Sequence, residues 1–139
     1  MKEMNAKNVY PLKPVVKVNL KKESVFWSVG MMQLLQNIEQ FSSLRKACDE
    51  MGLSYSKGHR ILREAEKSLG FHLVKSQTGG SSGGMTELTA EGRNFLKCYI
   101  SYNEKVKEYA DGIFSLYFCE YDCFFLMRCV FENRSKGER

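Results

Sequence analysis

The sequence predicts a mainly α-helical fold with a small β-hairpin, arranged as a helix-turn-helix unit followed by one long helix. Three stretches predict it. Residues 42–69 hold two amphipathic helical patterns separated by a break at Gly52. Residues 73–88 read as two short strands around a glycine- and serine-rich tip. From Phe95 to Leu116, apolar side chains recur at alternating spacings of four and three, the signature of a helix that packs along a seam.

Taken in order, residues 1–14 are expected to form a flexible N-terminus: they are polar and aperiodic, and Pro11 and Pro14 bracket their end. In residues 15–21, Val16, Val18 and Leu20 alternate with Lys17, Asn19 and Lys21, which predicts one short half-buried strand. A lone strand is unstable, so its partner should be the later hairpin or the same strand of a second copy. Ser28 is placed to cap a helix over residues 29–40, with Met31, Met32, Leu34, Leu35 and Ile38 as its core side and Phe26 and Trp27 just ahead.

In the next helix Leu44, Ala47, Cys48 and Met51 share one face, and Ser42 or Ser43 is its N-cap. Gly52 supplies the left-handed conformation that ends it, Leu53 plugs the corner, and Ser54 caps the helix after it. That helix has two chemically different sides. Gly58, Ile61, Leu62, Ala65 and Leu69 cluster on one. Ser56, Arg60, Arg63 and Lys67 fall opposite, with Lys57 and His59 on the flanks.

A short apolar helix, a glycine turn and a helix with a cationic outer face make a helix-turn-helix candidate, whose second helix enters the major groove of DNA. On that reading Ser56, Lys57, His59, Arg60 and Arg63 face the groove, while Lys67 and Lys75 meet phosphates. The competing reading is that the charges only solvate an exposed face.

Residues 70–88 favour DNA. Gly70 ends the helix, residues 73–76 and 85–88 form the strands, and residues 78–84 form the tip. A hairpin directly after a recognition helix is a wing, so the fold class is a winged helix-turn-helix. The glycine-rich tip also has a competing reading as a nucleotide phosphate cradle, but it lacks the P-loop spacing and no Gly-Lys-Ser/Thr comes after it.

Thr89 should cap the long helix over residues 90–117, roughly 40 Å at about 1.5 Å per residue. Its seam is Phe95, Tyr99, Tyr102, Val106, Tyr109, Ile113 and Leu116, with Lys97, Asn103, Glu104, Lys105, Lys107 and Glu108 off the seam. The first turns should pack on the chain's own globular part. The far half outreaches so small a core and should pair with a second copy, giving a homodimer. The aromatic, cysteine-rich residues 118–131 are expected to add a short helix against that seam, before a polar 132–139. The expected domain division is therefore 1–14, 15–88 for DNA binding, 89–131 for dimerisation, and 132–139.

Composition sets bounds. The 139 residues carry a net charge of +5, from 21 basic and 16 acidic side chains, which suits a polyanionic partner without demanding one. No signal-peptide pattern opens the chain, and no uninterrupted apolar run reaches the roughly 18 residues a membrane span needs. Five cysteines with no secretory signal point to free thiols in a reducing cytoplasm.

Three other functions compete with this one. Cys119, Cys123 and Cys129, with Cys98 or a histidine, have spacings within reach of a soft metal, which would make a metal- or redox-responsive regulator. The interleaved Phe118, Tyr121, Phe124, Phe125 and Leu126 favour buried thiols instead, so no metal or cofactor is expected. His59 and His72 have no catalytic partner pattern, so the chain is not expected to be an enzyme. A dimeric adaptor with little DNA affinity is the remaining alternative.

Several runs in fixed order resemble a known family: Ser43-Leu-Arg-Lys-Ala-Cys, Gly52-Leu-Ser-Tyr, Leu73-Val-Lys, Gly79-Gly-Ser-Ser-Gly-Gly and Leu88-Thr-Ala-Glu-Gly92. Together they resemble the N-terminal DNA-binding domain of ModE-type molybdate-responsive regulators and, more distantly, that of LysR-type regulators, over roughly residues 15–116. The resemblance implies a bacterial or archaeal transcription regulator that dimerises through flanking long helices. It also implies that Ser54, Tyr55, Ser56, Lys57 and Arg60 lie at the DNA-facing start of the recognition helix. Gly58-His59 stands where ModE-type proteins commonly have Ala-Trp, and Ser76 where their wing has a basic residue. Only the aromatic tail comes after Leu116, so direct molybdate sensing is not expected of this chain.

Overall fold

The computed structural model describes residues 11–79 and 84–121. Within them the order is β1 (Leu20–Lys21), β2 (Val25–Trp27), α1 (Val29–Phe41), α2 (Leu44–Glu50), α3 (Tyr55–Leu69), β3 (Val74–Gln77), β4 (Met85–Leu88) and α4 (Ala90–Phe118). This is a mainly helical fold with two small antiparallel hairpins, β1–β2 and β3–β4. The chain divides into two compact units: residues 17–104, and a smaller one whose described residues are 11–16 and 105–121.

The larger unit is built on α1. Met31, Leu34, Leu35 and Ile38 are buried along one side of it, as their spacing predicts, while Met32 is only half-buried. Ser42, in the left-handed conformation at φ 52°, ends α1 and donates its backbone N–H to the Ile38 carbonyl. One residue on, the Ser43 hydroxyl accepts the Lys46 N–H at 3.3 Å and starts α2. The two predicted cap candidates thus have separate tasks. Leu44, Ala47 and Cys48 bury the inner side of α2. Gly52, at φ 64°, then turns the chain into α3, where the Ser54 hydroxyl accepts the Lys57 N–H at 3.2 Å.

The expected strand over residues 15–21 shortens to Leu20–Lys21. Its partner is neither the wing nor a second copy but Val25–Trp27, with Leu20 opposite Trp27 and Lys21 opposite Val25. Lys22 to Ser24 form the polar turn between them, and the aromatic pair ahead of α1 belongs to the returning strand. This delivers Trp27, 1% exposed, into the core, where Phe95 meets it edge-on at 4.6 Å and Tyr99 lies at 5.7 Å.

Phe95 and Tyr99 are therefore held by the chain's own core, and the Tyr99 hydroxyl donates to the Val18 carbonyl at 2.7 Å. Asn103, expected off the seam, is buried as well, at 4% exposure. Gly92, Leu96, Tyr99 and Asn103 make one side of α4, about a quarter turn from the line through Tyr102, Tyr109, Ile113 and Leu116. In the smaller unit Pro11 to Pro14 lie along Asp111, Phe114, Ser115 and Phe118, and Phe114 stacks on Phe118 at 4.6 Å. The expected helix within residues 118–131 lies outside the described residues beyond Tyr121.

Candidate nucleic-acid interface

The inner side of α3 fixes its position. Leu62 and Ala65 are buried, and Gly58 faces α2 so closely that a Cβ there would sit 2.2 Å from Cys48 Sγ. Glycine at this position is thus matched to the cysteine opposite. Burial pushes the Cys48 thiol up from its ordinary pKa, and the neighbouring Asp49 adds to the effect, so the group stays protonated and unreactive.

Glu66, a residue given no role by sequence patterning, is the joint between α3 and the wing. Its carboxylate is buried. Oε1 accepts the Leu73 N–H at 2.8 Å and the Val74 N–H at 3.3 Å, while Oε2 lies 3.3 Å from His72 Nδ1 and 3.7 Å from an Arg63 guanidinium nitrogen. A charged acceptor thus satisfies two backbone donors at the entrance to β3. Thr89 holds the other end of the wing. Its N–H donates to the Leu73 carbonyl at 2.9 Å, its hydroxyl donates to the His72 carbonyl at 2.6 Å, and the same hydroxyl accepts the Gly92 N–H at 2.9 Å. Gly92 leaves room for this junction, since a Cβ there would lie 2.2 Å from the Leu73 carbonyl oxygen. The Leu-Thr-x-x-Gly run is a device for seating the wing on α4.

The wing pairs Val74 with Leu88, Lys75 with Glu87, Ser76 with Thr86 and Gln77 with Met85. Leu88 and Thr86 point inward and are buried, and the Thr86 N–H donates to the Ser42 carbonyl at 2.9 Å. Residues 80–83 of the glycine-rich tip lie outside the described residues.

All nine residues named from sequence for DNA contact are exposed: Ser54, Tyr55, Ser56, Lys57, His59, Arg60, Arg63, Lys67 and Lys75. Ser56, Arg60, Arg63 and Lys67 share one side of α3, within about 60° of arc at about 100° per residue. The cations differ in their surroundings. Arg63 lies 3.7 Å from Glu66, and Lys75 lies 3.7 Å from Glu87 across the wing. Among the described residues, Lys57, Arg60 and Lys67 are in no ion pair.

Sequence patterning gave no role to Arg45 on α2, whose guanidinium lies 5.0 Å from the centre of the Tyr55 ring. Tyr55 in turn stacks on His59 at 6.0 Å. Between α3 and the wing runs an open groove of about 440 Å³, lined by Tyr55, His59, Arg63, His72, Lys75 and Ser76 among others.

Of the thiols considered for a metal, Cys98 is exposed and Cys119 half-buried, while Cys123 and Cys129 lie outside the described residues. Among the described residues no group of three or more His, Cys, Asp or Glu side chains could hold a metal, and no helix is long and apolar enough to cross a membrane.

No family model matches the chain, and no curated protein matches it. Among solved structures it is similar to BenM_DBD in complex with catB site 1 DNA, at 22% identity and a TM-score of 0.44, over 56% of this chain and 81% of that one. It is similar also to BenM_DBD with benA site 1 DNA, at 20% identity and a TM-score of 0.44, over 56% of this chain and 82% of that one.

Proposed function

We propose that this protein is a sequence-specific double-stranded DNA-binding transcription regulator that acts as a homodimer. In this reading α3 lies in the major groove with Ser54, Tyr55, Ser56, Lys57, His59, Arg60 and Arg63 toward the bases and sugars, Lys67 and Lys75 meet phosphates, and the β3–β4 wing rests on the flanking backbone. Residues 15–88 are the DNA-binding domain, of the kind found at the N-terminus of ModE-type regulators, and residues 89–131 serve dimerisation.

One observation carries the reading. The helix after the glycine turn is anchored along its inner side by Leu62, Ala65 and Glu66, while its outer side presents Ser56, Arg60 and Lys67 to solvent, with no ion pair to either cation among the described residues. A rigid rod with available cations matches what groove recognition requires, because arginine reads guanine through two parallel hydrogen bonds. Dimerisation rests on the apolar side chains of α4 left exposed: Tyr102 at 57%, Tyr109 at 71%, Ile113 at 39% and Leu116 at 77%. Tyr99, buried in the core at 2% exposure, drops out of that surface, while Phe95 is half-buried.

Equilibrium binding of the full chain to duplex DNA over a salt series tests the proposal. The expected result is an affinity that falls linearly in a log–log plot against salt, with a slope of magnitude several, since each neutralised phosphate contributes about 0.9. Binding that is absent at low salt, or indifferent to salt, contradicts it.

A further inference from the structure

We propose that Arg45 is a DNA-backbone contact held in place by Tyr55, so that α2 and α3 grip the duplex together. The proposal rests on the DNA-binding reading of α3 and extends it to a residue outside the helix assigned to the groove.

Arg45 and Tyr55 stand on different helices across the turn at Gly52. The Arg45 guanidinium lies over the Tyr55 ring at 5.0 Å, within the range of cation–π attraction. Tyr55, 44% exposed, is backed by His59 one turn along α3, the two rings 6.0 Å apart and inclined by 30°. Cation, phenol ring and imidazole thus form a continuous exposed stack at the end of α3 that leads into the groove.

The charge on Arg45 is uncommitted. Among the described residues no carboxylate lies within ion-pair distance of it, and Asp49, one turn along α2, is not engaged with it. Arg63 and Lys75, by contrast, each face a glutamate. Cation–π attraction to a ring does not use up the N–H donors of a guanidinium, two of which can meet a phosphate together. A long arginine side chain would ordinarily lose much freedom on binding, and the ring beneath it removes part of that cost beforehand. Toward Arg45, Tyr55 is accordingly a positioning residue, and Arg45 makes the phosphate contact.

The test compares full-length wild type, Arg45→Ala, Tyr55→Leu, Tyr55→Phe and the Arg45→Ala/Tyr55→Leu double variant on one selected duplex and one random duplex across a salt series. Arg45→Ala should weaken both duplexes by the same factor and lower the magnitude of the salt slope by about 0.9, because a phosphate contact carries no sequence information. Tyr55→Leu should lower the salt slope by part of that amount, Tyr55→Phe should keep more of the slope than Tyr55→Leu because the ring remains, and Tyr55→Leu should lower the slope no further once Arg45 is gone. Wild-type affinity and slope in Arg45→Ala overturn the proposal while leaving α3 as the reading helix. Full additivity in the double variant overturns the positioning role of Tyr55. A wild type that binds neither duplex overturns the DNA reading and this proposal with it.

Discussion

The two sides of α3 obey opposite rules. The inner side is fully committed: Gly58 fits against Cys48, Leu62 and Ala65 are buried, and the Glu66 carboxylate supports the first residues of the wing. Outside, Ser56, Lys57, Arg60 and Lys67 are exposed, and among the described residues no ion pair engages those three cations. The first arrangement gives up every degree of freedom for stability, and the second keeps its charge available for a ligand. Substitutions on the two sides should therefore separate stability from binding.

The largest effect belongs to Glu66. Glu66→Ala strands the Leu73 and Val74 N–H groups at a buried junction and should cost about 3 kcal/mol, read as a lower urea midpoint, since each unpaired buried donor costs roughly 1–3 kcal/mol. Glu66→Gln keeps an acceptor oxygen and should recover part of the loss. Equal stability of wild type and Glu66→Ala would show that the wing entrance does not depend on this carboxylate.

Gly58→Ala comes next, at about 2 kcal/mol, because its Cβ would overlap Cys48 Sγ. Cys48→Ala in the same chain should relieve that overlap, so that the double variant is more stable than Gly58→Ala alone. Simple addition of the two losses would show that the helices part elsewhere.

On the outer side, Arg60→Ala should leave the melting midpoint within about 0.5 kcal/mol of wild type, as expected of an exposed site. It should weaken binding to a selected duplex by about 1–3 kcal/mol and relax preference at one position. Equal losses on selected and random duplex would mean that Arg60 only holds phosphate.

The smallest effect is in pH. Burial raises the Cys48 thiol from 9.0 and the Tyr99 phenol from 10.0. The folded chain keeps these protons at pH values where the unfolded chain releases them. Their contribution is whole below the unfolded values and is lost as pH climbs through the raised folded ones. Urea midpoints should fall as pH climbs above about 9, and Cys48→Ala should flatten the earlier part of that fall. A midpoint that rises over this range would contradict the burial of both groups.

Much of this architecture is legible in the sequence because it is written in local patterns. Helical spacing places α1, α2 and α3, and turn residues place Ser54, Gly52 and Gly70 at helix ends. What escapes is long-range. Val25-Phe-Trp is too short to announce a strand by alternation, and only its pairing with Leu20–Lys21 shows what it is. Asn103 reads as exposed when the seam is drawn through Phe95, Tyr99 and Tyr102, whereas the side packed in the larger unit runs along Leu96, Tyr99 and Asn103. Glu66 reads as one more surface charge, since nothing nearby in sequence reveals two backbone N–H groups arriving from β3. Arg45 lies outside α3, and its tie to Tyr55 exists only because the turn at Gly52 brings α2 and α3 together.

Selection of bound sequences from a random duplex pool, using the full-length chain, tests most directly whether the outer side of α3 reads DNA. The expected outcome is an enriched palindrome with half-sites about one helical turn apart, the spacing that a two-fold pair of recognition helices imposes. A pool that emerges from repeated rounds with no enriched motif would contradict it.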